Sequence, residues 1–186
     1  MHIHLSGRSS CSILSEQQLY NNLSPRLKGI CITDHWVLKP IKHLNFYEFQ
    51  VFFGVELTSN LGDILTYGLK RLPSKDLTAR QMIKFIHEQS AVAVCAHPFS
   101  NRHYAFGDKV YDYDFDAIEL NGAIGKNANE LAKRASKVMN IPTIGGSDSH
   151  SKDQLNTMAT QFKNPIKSIS DIIYAIEKGE CKAVHI

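Results

Sequence analysis

The sequence predicts an α/β fold, an irregular barrel with missing or shortened helices. Three observations carry that reading. Short apolar runs alternate with helical patterns along the whole chain, which implies βαβ units and a parallel sheet. Eight candidate strands would suffice to close a barrel, yet 186 residues fall short of the ~250 typical of a regular eightfold α/β barrel. Connections such as Thr58 to Gly62 are too short to hold a helix. An open doubly wound sheet is the alternative, weakened because no Gly-rich phosphate loop follows the first strand.

The elements follow in order. His2 to Leu5 reads as a first strand. Ser15 caps a short helix to Leu23, with Gln18 completing a capping box. Leu27–Thr33, Phe49–Leu57 and Asp63–Leu69 read as strands. Thr78 caps a helix to about Gln89, whose apolar face is Met82, Ile83, Phe85 and Ile86. The uncharged run Ala91–Ala96 reads as a buried strand, and Asp116–Leu120 as the next. Ala128–Asn140 is an amphipathic helix, followed by the strand Ile141–Gly145. Ser170 is expected to cap a helix carrying Ile172, Ile173 and Ile176, with Gly179 just past its end. Cys181–Ile186 is a last strand. No repeat, low-complexity stretch or linker interrupts the chain, so residues 1–186 are expected to form one domain.

Composition narrows the function. Hydrophobic residues at 43% and charged residues at 21% match an ordinary globular domain and exclude a disordered or collagen-like chain. No apolar run approaches the ~18 residues of a membrane span, and Met1-His2-Ile3-His4 does not open a secretory signal. Cys11, Cys31, Cys95 and Cys181 are widely spaced, with no C-x-x-C, and read as reduced thiols of a cytoplasmic protein. The formal net charge of +3, scattered along the chain, argues against a strong double-stranded nucleic-acid footprint.

The nine histidines carry the functional signal. His2, His4, His35, His97 and His150 fall in or at the ends of strands, interleaved with acidic residues, and in an α/β barrel strand ends converge on one mouth. His2 and His4, at i and i+2, point to one face of a strand and can grip one ion from one side; two histidines facing solvent are the plain alternative. Asp148-Ser149-His150 repeats that spacing after Gly145-Gly146, though these are also turn residues. His97 ends the apolar strand before Pro98, as a ligand or as a core histidine bonded to a carbonyl. Glu56 follows Phe52-Phe53-Gly54-Val55, where a buried carboxylate is costly unless paired or metal-bound; an edge strand with Glu56 facing solvent is the alternative. Asp63 is the exception, since it opens its strand. His87 is expected on the exposed side of its helix, His43 in a polar loop and His185 at the C-terminus. His103, beside Arg102, is placed near the pocket rim. A mixed imidazole and carboxylate set suits zinc, manganese or iron, and so many candidates allow two or three clustered ions.

These motifs resemble the PHP (polymerase and histidinol phosphatase) family of metal-dependent phosphoesterases. The matching stretches are His2-Ile3-His4, Ile32-Thr33-Asp34-His35, Gly54-Val55-Glu56, Ala96-His97-Pro98-Phe99 and Gly146-Ser147-Asp148-Ser149-His150, in the family's order. The resemblance implies a distorted, incomplete (βα)7-type barrel with two or three divalent ions at its mouth. It implies His2, His4, Glu56 and Asp148 on a first ion; Glu56, His97 and Asp63 on a second; and His35 and His150 on a third. Family members place an aspartate a few residues after H-x-H. Here Leu5 to Ser12 carries no carboxylate, and Arg8 brings a positive charge instead. Glu119 also looks family-like, as an acceptor for the second nitrogen of a ligand histidine.

The expected activity is hydrolysis of a phosphomonoester or nucleotide-type ester, with a small phosphorylated substrate or nucleotide as partner and no membrane. Ions at the site make hydroxide available near neutral pH. Arg102 is expected to bind phosphoryl oxygens, and His35 or His103 to assist the leaving group. The rivals are an amidohydrolase-like hydrolase and a PHP-type domain that binds metal without catalysis.

Overall fold

The structure, a computed structural model, describes residues 1–42, 44, 48–101 and 104–186. Six strands form one curled sheet in sequence order: β1 (Gly29–Ile32), β2 (Gln50–Thr58), β3 (Asp63–Tyr67), β4 (Val92–Cys95), β5 (Ala117–Asn121) and β6 (Thr143–Gly146). Two further strands, β7 (Met158–Phe162) and β8 (Cys181–His185), pair with each other in a separate antiparallel sheet. The expected (βα)7 barrel is therefore corrected to a curled six-stranded sheet beside a two-stranded one.

The sheet is not wholly parallel. β1–β2, β4–β5 and β5–β6 are parallel, but β3 runs antiparallel to both β2 and β4. The cause is local: a tight turn, in which Ser59 N–H donates to Gly62 O at 3.0 Å, reverses the chain where a crossover helix has no room. Antiparallel β3 puts Asp63, its first residue, level with the last residues of its neighbours, pairing it with Thr58 of β2. Its position at a strand start is no exception once the direction of the strand is known.

The first strand expected from the sequence is also revised. Residues 2–5 are extended but form only an isolated bridge, Ile3 with Ser149. Their backbone is held on both sides, by His4 N–H to Ser149 O at 3.0 Å and by Thr33 N–H to Ile3 O at 2.9 Å. The segment thus links the chain beyond β1 to the chain beyond β6, the two outer strands of the sheet.

Helices α1 (Glu16–Asn22) and α2 (Ala79–His87) begin at the expected caps, Ser15 and Thr78, each closing a capping box with a Gln at the third position. Helix α3 (Lys126–Met139) ends at Asn140 in the left-handed conformation. Helix α4 (Ile169–Glu177) is capped by Ser168, not Ser170, because Asp171 supplies the reciprocal capping bonds from the third position. Period-2 alternation sorts the strands. Val55, Leu57, Ile64, Ala93, Cys95, Ile118 and Leu120 pack with Met82, Ile83 and Ile86 of α2 and with Ala132 and Ala135 of α3. On the other face Leu65, Tyr67, Val94 and Ala117 pack with Ile172 and Ile176 of α4. Glu56, Asp63 and Glu119 share the parity of that second face, so carboxylates stand at one end of a face that is otherwise apolar.

Candidate metal centre

His2, His4, Glu56, His97, Asp148 and Glu119 are all buried, at 1% exposure or less. Asp63, His35 and His150 are partly exposed at the edge of the same cluster. Among the described residues, three groups each have their ligand atoms within 4.8 Å of one another: His2, His4 and Asp148; Glu56, Asp63 and His97; and His4, His35 and His150, the first and last sharing His4. Glu56 lies at the centre, with its carboxylate oxygens 3.3 Å from His2 Nε2, 3.1 Å from His4 Nε2, 3.2 Å from His35 Nδ1 and 3.4 Å from His97 Nε2. A pocket of about 390 Å³, lined by Cys11, His35, Glu56, Asp63, Asp148, His150 and Gln154, opens onto it.

Two groups behind the histidines fix their tautomers. His2 Nδ1 lies 2.8 Å from Glu119 Oε1, and a carboxylate only accepts, so Nδ1 carries the proton. Glu119 Oε2 also accepts from His97 N–H at 3.0 Å and from Asn121 Nδ2 at 2.9 Å. The Ser9 hydroxyl donates to Asp34 Oδ1 at 2.9 Å, so its oxygen accepts from His4 Nδ1 at 3.1 Å. Both Nε2 atoms lie 2.9 Å apart and face Glu56 and Asp148; in the neutral tautomers so fixed they present lone pairs. Lone pairs converging on carboxylates repel unless a cation lies among them. The donor set therefore fits divalent ions, and the two acceptors are those that metal-bound histidines require.

The protonation equilibria express the same demand for positive charge. Burial alone would lower His2, but Glu119, Glu56 and Asp148 hold it well above its ordinary value. Burial likewise opposes the charged forms of Glu56 and Asp148, and the imidazoles around them, His2 first, hold both carboxyls below the usual range. Asp63, with burial and the Glu56 charge acting together, is pushed up to about 6. Burial and the neighbouring imidazoles lower His35 and His150. Glu56 Oε1, Asp63 Oδ1 and His97 Nε2 are buried without a hydrogen-bond partner, an expensive arrangement in the absence of a ligand.

The backbone is adapted to the site. His97 (φ 29°) and Asp148 (φ 49°) take up the left-handed region that favours glycine, costing roughly 1–3 kcal/mol each. Gly146 leaves space for the acceptor: a Cβ there would lie 2.1 Å from Glu119 Oε1 and 2.6 Å from His2 Cβ. Asp34, next to His35 in the motif, faces elsewhere. It accepts from Leu5 N–H at 2.7 Å and from Ser9, and forms an ion pair with the Arg8 guanidinium, which also donates to Lys39 O. The positive charge of Arg8 is thus tied to Asp34.

Arg102 and His103, assigned catalytic roles from the sequence, lie outside the described residues, as does His43. His87 is on the exposed side of α2, where it pairs with Asp116 at 2.9 Å, and His185 is exposed at the end of β8. Sequence reasoning missed Ser9, Cys11 and Gln154 as site residues. The Ser-Ser-Cys-Ser run gave no chemical signal beyond a turn.

A family model described as PHP-associated matches residues 126–181. An uncharacterized protein of Methanocaldococcus jannaschii, MJ1587, is 29% identical over 124 residues, 59% of this chain and 72% of that protein. Among solved structures, PsfC from Pseudomonas syringae PB-5123 superposes with a TM-score of 0.74 at 18% identity, over 100% of this chain and 90% of that one. Endonuclease Q, in complex with a 27-mer duplex substrate with an abasic lesion at the active site, superposes with a TM-score of 0.65 at 18% identity, over 97% of this chain. The chain spans 57% of the length of that structure. The PHP-associated match over residues 126–181 agrees with the resemblance read from the motifs, and the two solved structures, each at 18% identity, share the fold. They also correct one expectation. A small substrate and no double-stranded nucleic-acid footprint is at odds with Endonuclease Q, a neighbour in fold whose substrate is duplex DNA. Among the described residues, no helix is long and apolar enough to cross a membrane.

Proposed function

We propose that the protein is a metal-dependent hydrolase of phosphoester bonds in nucleic acid. The observation that supports the chemistry best is the convergence of three ligand groups on Glu56: His4 belongs to two of them, and Glu56 touches members of all three. In this reading His2, His4, Glu56 and Asp148 hold a first ion, Glu56, Asp63 and His97 a second, and His35 and His150 belong to a third. Divalent ions at such a site make hydroxide available near neutral pH and offset charge on the phosphoryl oxygens.

The chain's own residues supply the geometry. Glu119 and Ser9 hold His2 and His4 with Nε2 toward Glu56 and Asp148. His35, 31% exposed at its side chain and with a lowered pKa, keeps a lone pair available at neutral pH. The nucleic-acid part of the reading rests on the likeness to Endonuclease Q.

The test uses end-labelled oligonucleotides, single-stranded, duplex, and duplex with an abasic site, incubated with manganese- or zinc-loaded protein and resolved on denaturing gels. Cleavage that is abolished by chelator and by Glu56→Gln is the expected result. A protein that binds its metal stoichiometrically yet cuts none of these substrates would overturn the proposal in favour of the two rivals, the amidohydrolase-like hydrolase and the domain that binds metal without catalysis.

A further inference from the structure

Asp34 is a buried carboxylate that belongs to none of the three ligand groups and does not line their pocket. A buried charge is costly unless it is paired and hydrogen-bonded, and the partners of Asp34 lead to the metal centre. We propose that Asp34, clamped by Arg8, is a positioning residue of that centre: acting through the Ser9 hydroxyl, it decides which ring nitrogen of His4 is left bare for an ion. This rests on the metal-dependent reading above and assigns a role to residues that stand behind its ligands.

The carboxylate is held at both oxygens. Asp34 Oδ1 accepts from Leu5 N–H at 2.7 Å and from the Ser9 hydroxyl at 2.9 Å. Thr33 N–H donates to Ile3 O at 2.9 Å, so the Asp34 side chain carries on the pairing of residues 3–5 with the chain beyond β1. His4 precedes one end of that contact and His35 follows the other. Asp34 Oδ2 is left to the Arg8 guanidinium, which also donates to Lys39 O at 2.7 Å. Arg8 thus supplies the counter-charge that a buried carboxylate needs and fixes the plane of the carboxyl group.

Ser9 is the junction, and it too is buried. Three groups meet its hydroxyl: Asp34 Oδ1 at 2.9 Å, His4 Nδ1 at 3.1 Å and the His35 backbone N–H at 3.2 Å. A hydroxyl offers one proton and two lone pairs. The carboxylate only accepts, so it takes the proton, and the backbone N–H only donates, so it takes one lone pair. His4 Nδ1 meets the other lone pair and must donate to it. In the neutral ring that leaves Nε2 bare, 3.1 Å from Glu56 Oε2 and 3.4 Å from Asp148 Oδ1.

Without the Asp34 acceptor the order reverses. The Ser9 proton is then free to turn to His4 Nδ1, and the ring carries its own proton on Nε2, where an ion would bind. The same hydroxyl fastens the His35 backbone, so one junction serves a ligand from each side of the contact. The action is one of hydrogen-bond direction rather than of attraction between Asp34 and the ions, since Arg8 offsets the Asp34 charge.

The test measures zinc affinity by competition against a chromophoric chelator, with chemical denaturation in excess chelator as the check on folding. Ser9→Ala removes the junction and should weaken zinc binding by roughly 10–100-fold, as loss of an outer acceptor does. Asp34→Ala should weaken it to the same degree. Asp34→Asn should stay near wild type: its amide oxygen keeps the Leu5 and Ser9 bonds, and its NH₂ displaces only Arg8, whose side chain is 19% exposed and turns to water. Were Asp34 acting through its charge, Asn would lose as much as Ala. Ser9→Ala combined with Asp34→Ala should bind zinc no more weakly than Ser9→Ala alone, because the two residues act along one path. Wild-type affinity in Ser9→Ala, equal losses in Asp34→Asn and Asp34→Ala, or losses that add in the double variant would each overturn the proposal. If Asp34→Ala fails to fold, Ser9→Ala and Asp34→Asn decide between them: the first must lose affinity and the second keep it. A wild type that binds no zinc overturns the metal-dependent reading as well, whereas a failure to cleave oligonucleotides leaves these measurements unaffected.

Discussion

Glu119 is the residue whose replacement tests the His2 tautomer most directly. Its Oε1 faces one donor, His2 Nδ1, and its Oε2 faces two, His97 N–H and Asn121 Nδ2. In Glu119→Gln the amide must choose. With its NH₂ toward His97 and Asn121, two buried donors lose their acceptor, at about 1–3 kcal/mol each. With its NH₂ toward His2 there is one conflict, and His2 relieves it by carrying its proton on Nε2 alone. That proton then faces Glu56 at 3.3 Å and Asp148 at 3.4 Å, which accept it. The second arrangement wins, and it removes the His2 lone pair from the metal site. Loss of such an outer acceptor typically costs 10–100-fold in metal affinity, or about 1.4–2.8 kcal/mol. The measurement is competition against a chromophoric chelator, paired with thermal unfolding of metal-free and loaded protein. Metal-free protein also loses the Glu119 charge that helps hold His2 protonated, so the two unfolding curves are compared, and the stabilisation gained on loading should shrink by that same amount. Wild-type affinity in the variant would show that Glu119 does not set the His2 tautomer.

Two further outcomes follow from the geometry. Gly146→Ala forces a methyl against Glu119 Oε1 and His2 Cβ. It should destabilise the metal-free protein by roughly 1–3 kcal/mol, the cost of overpacking, and weaken metal binding as well; chemical denaturation in excess chelator reads the first effect free of the second, and an unchanged midpoint would refute the packing. His87 has its pKa raised, chiefly by its hydrogen bond to Asp116. A raised folded-state pKa contributes stability that is complete below the unfolded value of about 6.5 and is lost as pH rises through the folded one. His87→Gln should therefore cost most under mildly acidic conditions, by no more than about 1 kcal/mol for so exposed a pair, and nothing in alkali. A penalty independent of pH would assign His87 a packing role instead.

The residues of the site were more legible than the sheet that carries them. Period-2 spacing placed His2 with His4 and Asp148 with His150, and the apolar neighbours of Glu56 marked it as buried; the structure has all of these in one cluster. Strand direction is not written in a strand's own residues, so Asp63 looked misplaced. The clue lay in the connection: a stretch from Thr58 to Gly62 too short for a helix forces an antiparallel neighbour. Strand β7 was missed because Met-Ala-Thr-Gln-Phe has only Met158 fully buried and shows no clean alternation. The Ser168 cap was missed because two serines compete, and only the one three residues before Asp171 closes a capping box.

The charge argument against nucleic acid failed for a different reason. A formal charge of +3 is a sum over the whole chain and counts no ions. The pocket itself is acidic: Glu56, Asp63 and Asp148 line it, and Arg8 neutralises Asp34 behind it. Taken alone such a pocket repels a phosphate. Bound cations are often the largest local charges in a site and invert its electrostatics: with two or three divalent ions held by these carboxylates and by neutral imidazoles, it attracts one. An acidic, histidine-rich cavity and affinity for a polyanion are therefore compatible once the ions are counted. It follows that binding of an oligonucleotide near the pocket should depend on metal at fixed ionic strength, whereas binding through a basic surface would persist in chelator.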